Sequence, residues 1–173
     1  RSGSLGGAVD VRTLPPRSAE SLELTATAGS WGFFSTTATA TGGNEARHGL
    51  LSAHYRRSDP YEDGSGRKLT AFPEATPQAT DDYLPAFREA LAYEAAHASL
   101  KAAWQPAEGR KLTFSWRHRE DWDVLYPGLF MDADSTRTRE AGLRYEARES
   151  ALGERLRFDL YHNWTDHDMR DTR

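Results

Sequence analysis

The stretch ERLRFDLYH, residues 154–162, decides the fold, because two chemical kinds of side chain alternate along it. Leu156, Phe158 and Leu160 are large and apolar, and Arg157 and Asp159 stand between them. Successive side chains of a β-strand point to opposite faces of the sheet. The stretch therefore predicts a strand with one apolar face and one charged face.

Other stretches show the same alternation or a composition that favours strands. Residues 33–41 alternate poorly but are rich in Thr, which suits a strand. Residues 87–103 contain enough Ala, Glu and Leu to favour a helix. A helix there would break the up-and-down order of its neighbours, so we predict a strand. The seven predicted strands cover residues 22–28, 33–41, 51–56, 91–104, 110–118, 138–148 and 154–164.

The connections between these strands are of two lengths. Residues 105–109 and 149–153 form short turns, whereas residues 57–85 and 119–137 form long polar loops at the other end of the sheet. Structureless loops of that length are uncommon in compact soluble domains. Outer-membrane barrels have short turns at one end, longer loops at the other, and aromatic girdles at both interfaces. Aromatic residues predicted near strand ends are Trp31, Phe33, Phe34, Tyr55, Trp104, Trp116, Trp122 and Trp164.

The predicted fold is all-β, an antiparallel up-and-down transmembrane β-barrel of which this chain holds about seven strands. The alternative is a soluble antiparallel β-sheet binding module, which also alternates apolar with polar side chains. The two differ in what covers the apolar face. In a barrel it meets lipid, and in a soluble module a second layer of the same chain buries it.

Composition limits the other classes of protein. The chain has 173 residues, of which 38% are hydrophobic and 28% are charged, and it contains no run of about 18 apolar residues that could form a transmembrane helix. Its net charge of −4 indicates no basic surface for nucleic acid. It has no cysteine, which excludes disulfides and thiolate metal sites. Because it begins at Arg1 without Met and strand-like sequence runs nearly to Arg173, we expect a fragment or a processed piece.

The opening residues carry a resemblance to a known family. The sequence RSGSLGGAVDVRTLPP, residues 1–16, resembles the carboxy-terminal end of the plug domain of TonB-dependent outer-membrane receptors. Gly pairs allow positive φ at a turn, and alternating Val residues form a short strand. The residues that match the plug motif are Gly6, Gly7, Val9, Val11 and Thr13.

The resemblance implies a domain organisation and partners. Residues 1–16 would end the plug, and residues 17–173 would form the amino-terminal part of the barrel domain. The resemblance further implies the outer membrane of a Gram-negative bacterium, contact with its lipid, and TonB as a partner through a segment outside this sequence. The cargo would be a metal ion or metal chelate, with no resident cofactor.

Two stretches resemble the receptors proposed to take up copper. They are LYPGLFMDAD, residues 125–134, and YHNWTDHDMRD, residues 161–171, the latter expected to fray from strand into loop. Copper is therefore favoured, with siderophore-bound iron or cobalamin next. Thioethers suit Cu(I), imidazoles suit Cu(II), and nearby carboxylates attract cations. Ordinary polar roles are the competing explanation for each residue. The candidate metal ligands are His118, Met131, Asp132, Asp134, His162, His167 and Met169.

Catalysis has little support in the sequence. Motifs of serine hydrolases, zinc proteases, P-loop proteins and Rossmann enzymes do not occur. We therefore predict that the protein is not an enzyme. An outer-membrane barrel hydrolase remains the second alternative, with Ser115 and His118 as the pair of residues that it would use.

Overall fold

A computed structural model describes residues 13–68, 70, 83–126, 131–151 and 153–171 of the chain. These residues form one antiparallel sheet in which each strand pairs with its neighbours in the sequence, in the order β1 to β7. A 3₁₀ turn covers Pro85–Phe87. The strands are β1 (Ser21–Ala28), β2 (Phe34–Gly43), β3 (Arg47–Ser58), β4 (Tyr93–Ala107), β5 (Arg110–Val124), β6 (Asp132–Ser150) and β7 (Gly153–Arg170).

The predicted all-β, up-and-down fold is confirmed. Residues 93–107 are a strand, so the strand interpretation of the helix-favouring stretch was right. The Thr-rich β2 is ordered by cross-strand hydroxyl pairs, since Oγ1 of Thr39 lies 3.1 Å from Oγ of Ser52. The predicted plug strand lies within residues 1–12, outside the described residues.

The prediction of a long loop over residues 119–137 was wrong. Strand β5 continues to Val124 and β6 begins at Asp132, so only residues 125–131 connect them. Alternation of apolar residues stops near His118, but the hydrogen-bonded ladder does not. Cross-strand ion pairs such as Arg137 with Glu120 take the place of apolar contacts there. The polar residues beyond His118 therefore indicate that both faces of the strand become polar there, and not that the strand ends.

The predicted fraying of residues 161–171 was also wrong, because β7 remains paired with β6 through Arg170. The longer strands place two tryptophans differently from the prediction. Trp116 and Trp164 lie inside β5 and β7 rather than at their ends. Both stand on the apolar face, where the apolar rows give way to charged ones.

The two ends of the sheet are unlike each other. Short connections join β2 to β3, β4 to β5 and β6 to β7 at one end. The opposite end carries the connections of residues 29–33, 59–92 and 125–131, and we call it the rim. The predicted asymmetry is therefore present, although the β3–β4 connection supplies most of it.

The sheet is a single layer whose apolar face is open. Leu24, Phe158 and Leu160 are 72%, 57% and 59% exposed. Within the described residues no second layer covers them, because each strand contacts mainly the strands beside it. A soluble antiparallel module would bury this face under a second layer of the same chain, and the described residues supply no such layer. No helix of the described part is long and apolar enough to cross a membrane.

Candidate functional site

The register of the sheet assigns every strand residue to a face. Leu100, Phe114 and Leu143 belong to the apolar face together with Leu160, since directly opposed residues share a face. The other face, which we call the polar face, carries hydroxyls, imidazoles and charged groups from all seven strands. Its charges are paired across strands: Arg117 Nη1 lies 2.7 Å from Glu140 Oε2, and Arg144 Nε lies 2.6 Å from Asp159 Oδ1.

The segment at residues 13–17 lies against the polar face. Nζ of Lys101 donates to the backbone oxygen of Leu14 at 2.8 Å and also contacts the Thr13 hydroxyl. Arg17 then makes an isolated bridge with Gly49 of β3. The segment that precedes β1 therefore approaches the polar face and not the apolar face.

The predicted metal ligands fall on different faces. His167 and Met169 of β7 belong to the polar face near the rim, and Nδ1 of His167 lies 2.7 Å from Oγ1 of Thr136. His118 and His162 belong to the opposite face, at the rim end of the apolar rows. Nε2 of His118 lies 3.5 Å from Glu120 Oε2. One shared site for all three histidines is thus ruled out by the register.

The two predicted carboxylate ligands at the rim already have partners. Asp132 is buried, and its Oδ1 accepts hydrogen bonds from the Tyr126 backbone N–H at 2.5 Å and the Tyr83 hydroxyl at 3.3 Å. Asp134 pairs with Arg170 Nη1 at 2.8 Å. Met131 is exposed and directly precedes β6. A metal ion that used Asp132 or Asp134 would have to displace these contacts.

Arg170 joins three elements at the rim, and the sequence pattern did not reveal it. Its guanidinium pairs with Asp123 at 2.7 Å as well as with Asp134, and it lies over the Phe87 ring at 4.9 Å from the ring centroid. Asp123 has a φ of 51°, and Asp134 lies where the β6–β7 register shifts. Both aspartates therefore sit at irregular points of their strands, and Arg170 holds them together.

A separate turn in the β3–β4 connection is organised by Asp63. Its carboxylate accepts hydrogen bonds from the Arg67 backbone N–H at 2.9 Å and from the Ser65 hydroxyl at 2.8 Å. These bonds favour the charged form, so the pKa of Asp63 is lowered from its ordinary value of 3.8. Nearby, the bond to Glu89 raises the pKa of Lys68 and joins the two described parts of the connection.

His167 and Met169 are the predicted ligands that the fold leaves side by side. They are two residues apart on one face, so their Cα atoms are roughly 7 Å apart. An imidazole and a thioether at that spacing offer the nitrogen and soft sulfur donors that copper accepts. Among the described residues, no group of three or more His, Cys, Asp or Glu could hold a metal ion. A complete site would therefore need this pair and further donors from other residues.

The open sheet, its two faces and its unequal ends define the class: part of the wall of an up-and-down β-barrel. No protein-family model matches the chain, and no curated protein does. The solved structures that match include a copper transporter, OprC, at 21% sequence identity and a TM-score of 0.69. The match covers 94% of this chain and 23% of that one. At this identity the likeness concerns the fold alone.

Proposed function

We propose that this chain is part of a TonB-dependent outer-membrane receptor that takes up a metal ion or metal chelate, with copper favoured over siderophore-bound iron and cobalamin. The observation that carries the proposal is the uncovered apolar face. Exposing several adjacent large apolar side chains to water is unfavourable, whereas hydrocarbon accommodates them. The same strands turn paired charges to the other face, as a lumen requires.

The rest of the receptor would complete what the sheet leaves open. In the described residues β1 and β7 each pair with one neighbour, so both edges have unpaired backbone groups. Backbone groups cannot remain unpaired in lipid, and a closed barrel satisfies them all. Further strands would pair with both edges. Residues 1–16 would end the plug, which the approach of Thr13 and Leu14 to Lys101 on the polar face supports.

Copper is proposed as the cargo on the chemistry of His167 and Met169, together with the likeness to a copper transporter. The remaining predicted ligands contribute less. His118 and His162 are on the apolar side of the sheet, while Asp132 and Asp134 have protein partners. Transport would require loosening of the contacts between plug and polar face, with energy supplied through TonB.

Titration of the complete receptor in detergent with Cu(I), Cu(II), a ferric siderophore and cobalamin tests the cargo. We expect copper binding that His167→Gln weakens and His162→Gln does not, because the two histidines lie on opposite faces of β7. Tight binding of cobalamin or a ferric siderophore without copper binding would refute the copper assignment. The receptor class would stand in that case.

The hydrolase alternative loses its candidate residues. Ser115 lies opposite Gly142 on the polar face, whereas His118 lies opposite Arg139 on the other face. A serine nucleophile and its base must be within hydrogen-bond reach. Ser115 and His118 therefore cannot act as a catalytic pair.

A further inference from the structure

A pair of imidazoles lies on the polar face, away from His167 and Met169. His54 of β3 and His97 of β4 are directly opposed in the register. Side chains that oppose each other in antiparallel strands have Cβ atoms about 4.5–5.5 Å apart, which is close enough for both rings to reach one ion. His167 lies on β7, three strands from His97, or about 14 Å across the sheet. The two locations are therefore separate.

Both imidazoles have a ring nitrogen available. Nδ1 of His54 is 2.8 Å from Oγ1 of Thr37, so the hydroxyl can hold the tautomer in which Nδ1 carries the proton and Nε2 has a free lone pair. Metal-binding histidines typically have such a partner on the other ring nitrogen. Nε2 of His97 is buried and has no hydrogen-bond partner within the described residues. A buried polar atom without a partner is unfavourable, and a bound ion would satisfy it.

The surroundings of the pair decide which ion it suits. Arg119 lies directly opposite His97 in the register and pairs with Asp121 at 2.7 Å, and Arg117 pairs with Glu140. No carboxylate lies directly opposite either histidine in the register. The adjoining cavity of about 360 Å³ is lined by His97, by hydroxyls of Thr39, Ser52, Ser99 and Ser115, and by the charged side chains of Lys101, Arg117 and Glu140. Neutral imidazoles beside the cationic groups of Lys101, Arg117 and Arg119, with no unpaired carboxylate opposite them, favour a monovalent ion, because these cations repel a divalent ion more strongly.

We propose that His54 and His97 form a two-imidazole site inside the barrel for a soft monovalent cation, Cu(I) or its analogue Ag(I). The proposal rests on the proposed function, because it needs the polar face to line a lumen that copper enters. The site would hold the ion after it leaves the rim. Thr37 would act as a positioning residue, through its bond to the His54 ring.

The test compares two double variants of the complete receptor, His54→Gln/His97→Gln and His167→Gln/Met169→Leu, by equilibrium binding of Ag(I) and of Cu(I) against a competing chelator. His48→Gln is the matched control, because His48 lies on the polar face of the same strand as His54. Heat-dependent gel migration verifies that each barrel is folded. We expect each double variant to lose a different equivalent of bound ion, and the control to lose none.

Full retention of binding in His54→Gln/His97→Gln would overturn the proposal. If the His167→Gln/Met169→Leu variant then still lost a bound ion, the proposed copper function would stand. If only His54→Gln/His97→Gln lost a bound ion, His167 and Met169 would not be copper ligands. X-ray absorption of Ag(I) bound to the rim variant provides a second measurement. Nitrogen neighbours alone are expected, and sulfur neighbours would overturn the site. Thr37→Val should weaken the site about 10- to 100-fold.

Discussion

Substitution of Leu160 by Arg tests which face meets lipid. Leu160 is 59% exposed and lies opposite Leu143 in the apolar rows. The apolar rows of β7 run from Leu156 to Trp164, which is about 26 Å along the strand, or about 20 Å along the membrane normal at a 40° tilt. Leu160 is at the middle of that span, so its side chain would be at the bilayer midplane.

An arginine at the midplane of a barrel costs about 2–4 kcal/mol of folding free energy, and the cost falls to about 0–1 kcal/mol near the interfaces. Tyr161→Arg is the matched control, because Tyr161 is the next residue, is 84% exposed, and faces the polar side. There the new charge would remain in water, and we expect a change of less than about 0.5 kcal/mol.

The assay is guanidinium unfolding of the complete receptor from lipid vesicles, followed by tryptophan fluorescence, with barrel content after expression as a second measurement. We expect Leu160→Arg to lower the unfolding midpoint and Tyr161→Arg to leave it nearly unchanged. Equal effects of the two variants, or no effect of either, would refute the orientation. A larger loss for Tyr161→Arg would place lipid on the opposite face.

The remaining predictions concern the turns and the rim. Gly43→Ala should lower the free energy of unfolding by about 1–3 kcal/mol, because Gly43 has a φ of +133° and a Cβ there would lie 2.2 Å from the Arg47 backbone oxygen. Gly64→Ala is the control: a Cβ there would have no atom within 4 Å, so the same unfolding assay should show no change. Since the pKa of Asp63 is lowered, its turn should be stable at neutral pH and weaken as the pH falls below about 4. Hydrogen exchange between pH 3 and 5 measures this, and a turn equally protected at pH 3 would contradict it. Arg170→Gln should lower the free energy of unfolding by only about 1 kcal/mol, because the ion pairs of Arg170 are partly exposed. It should also speed amide hydrogen exchange in residues 83–92, and unchanged exchange there would show that Arg170 does not hold the rim elements together.

Residues near the rim show why strand ends were the least predictable part of the fold. The middle of each strand could be read from the sequence, because one side must be apolar and the other polar for the whole width of the apolar band. Beyond His118 in β5 and Trp164 in β7 both faces meet polar surroundings, so alternation disappears while backbone pairing continues. Periodicity reports the environment of side chains, and pairing depends on the neighbouring strand.

The candidate metal ligands were chosen from the sequence by residue type, and the structure was needed to show on which face of the sheet each one lies. The DHDM sequence of residues 166–169 already places His167 and Met169 two residues apart, so a strand puts them on one face. Their separation from His118 depends on the registers of three strands. Arg170 and His97 carried no local signal, because their partners are distant in the chain.

The sequence alone determined that this protein is an antiparallel meander with an apolar and a charged face, because a period of two is a local property of an extended backbone. Tertiary structure decided which residues meet across strands: His54 with His97, Arg170 with Asp123 and Asp134, and Asp132 with Tyr83. Those contacts depend on register and on bulges, where one residue more or less moves every later side chain to the other face. Register and bulges are set by the summed pairing energy of whole strands, so no short stretch of sequence reveals them.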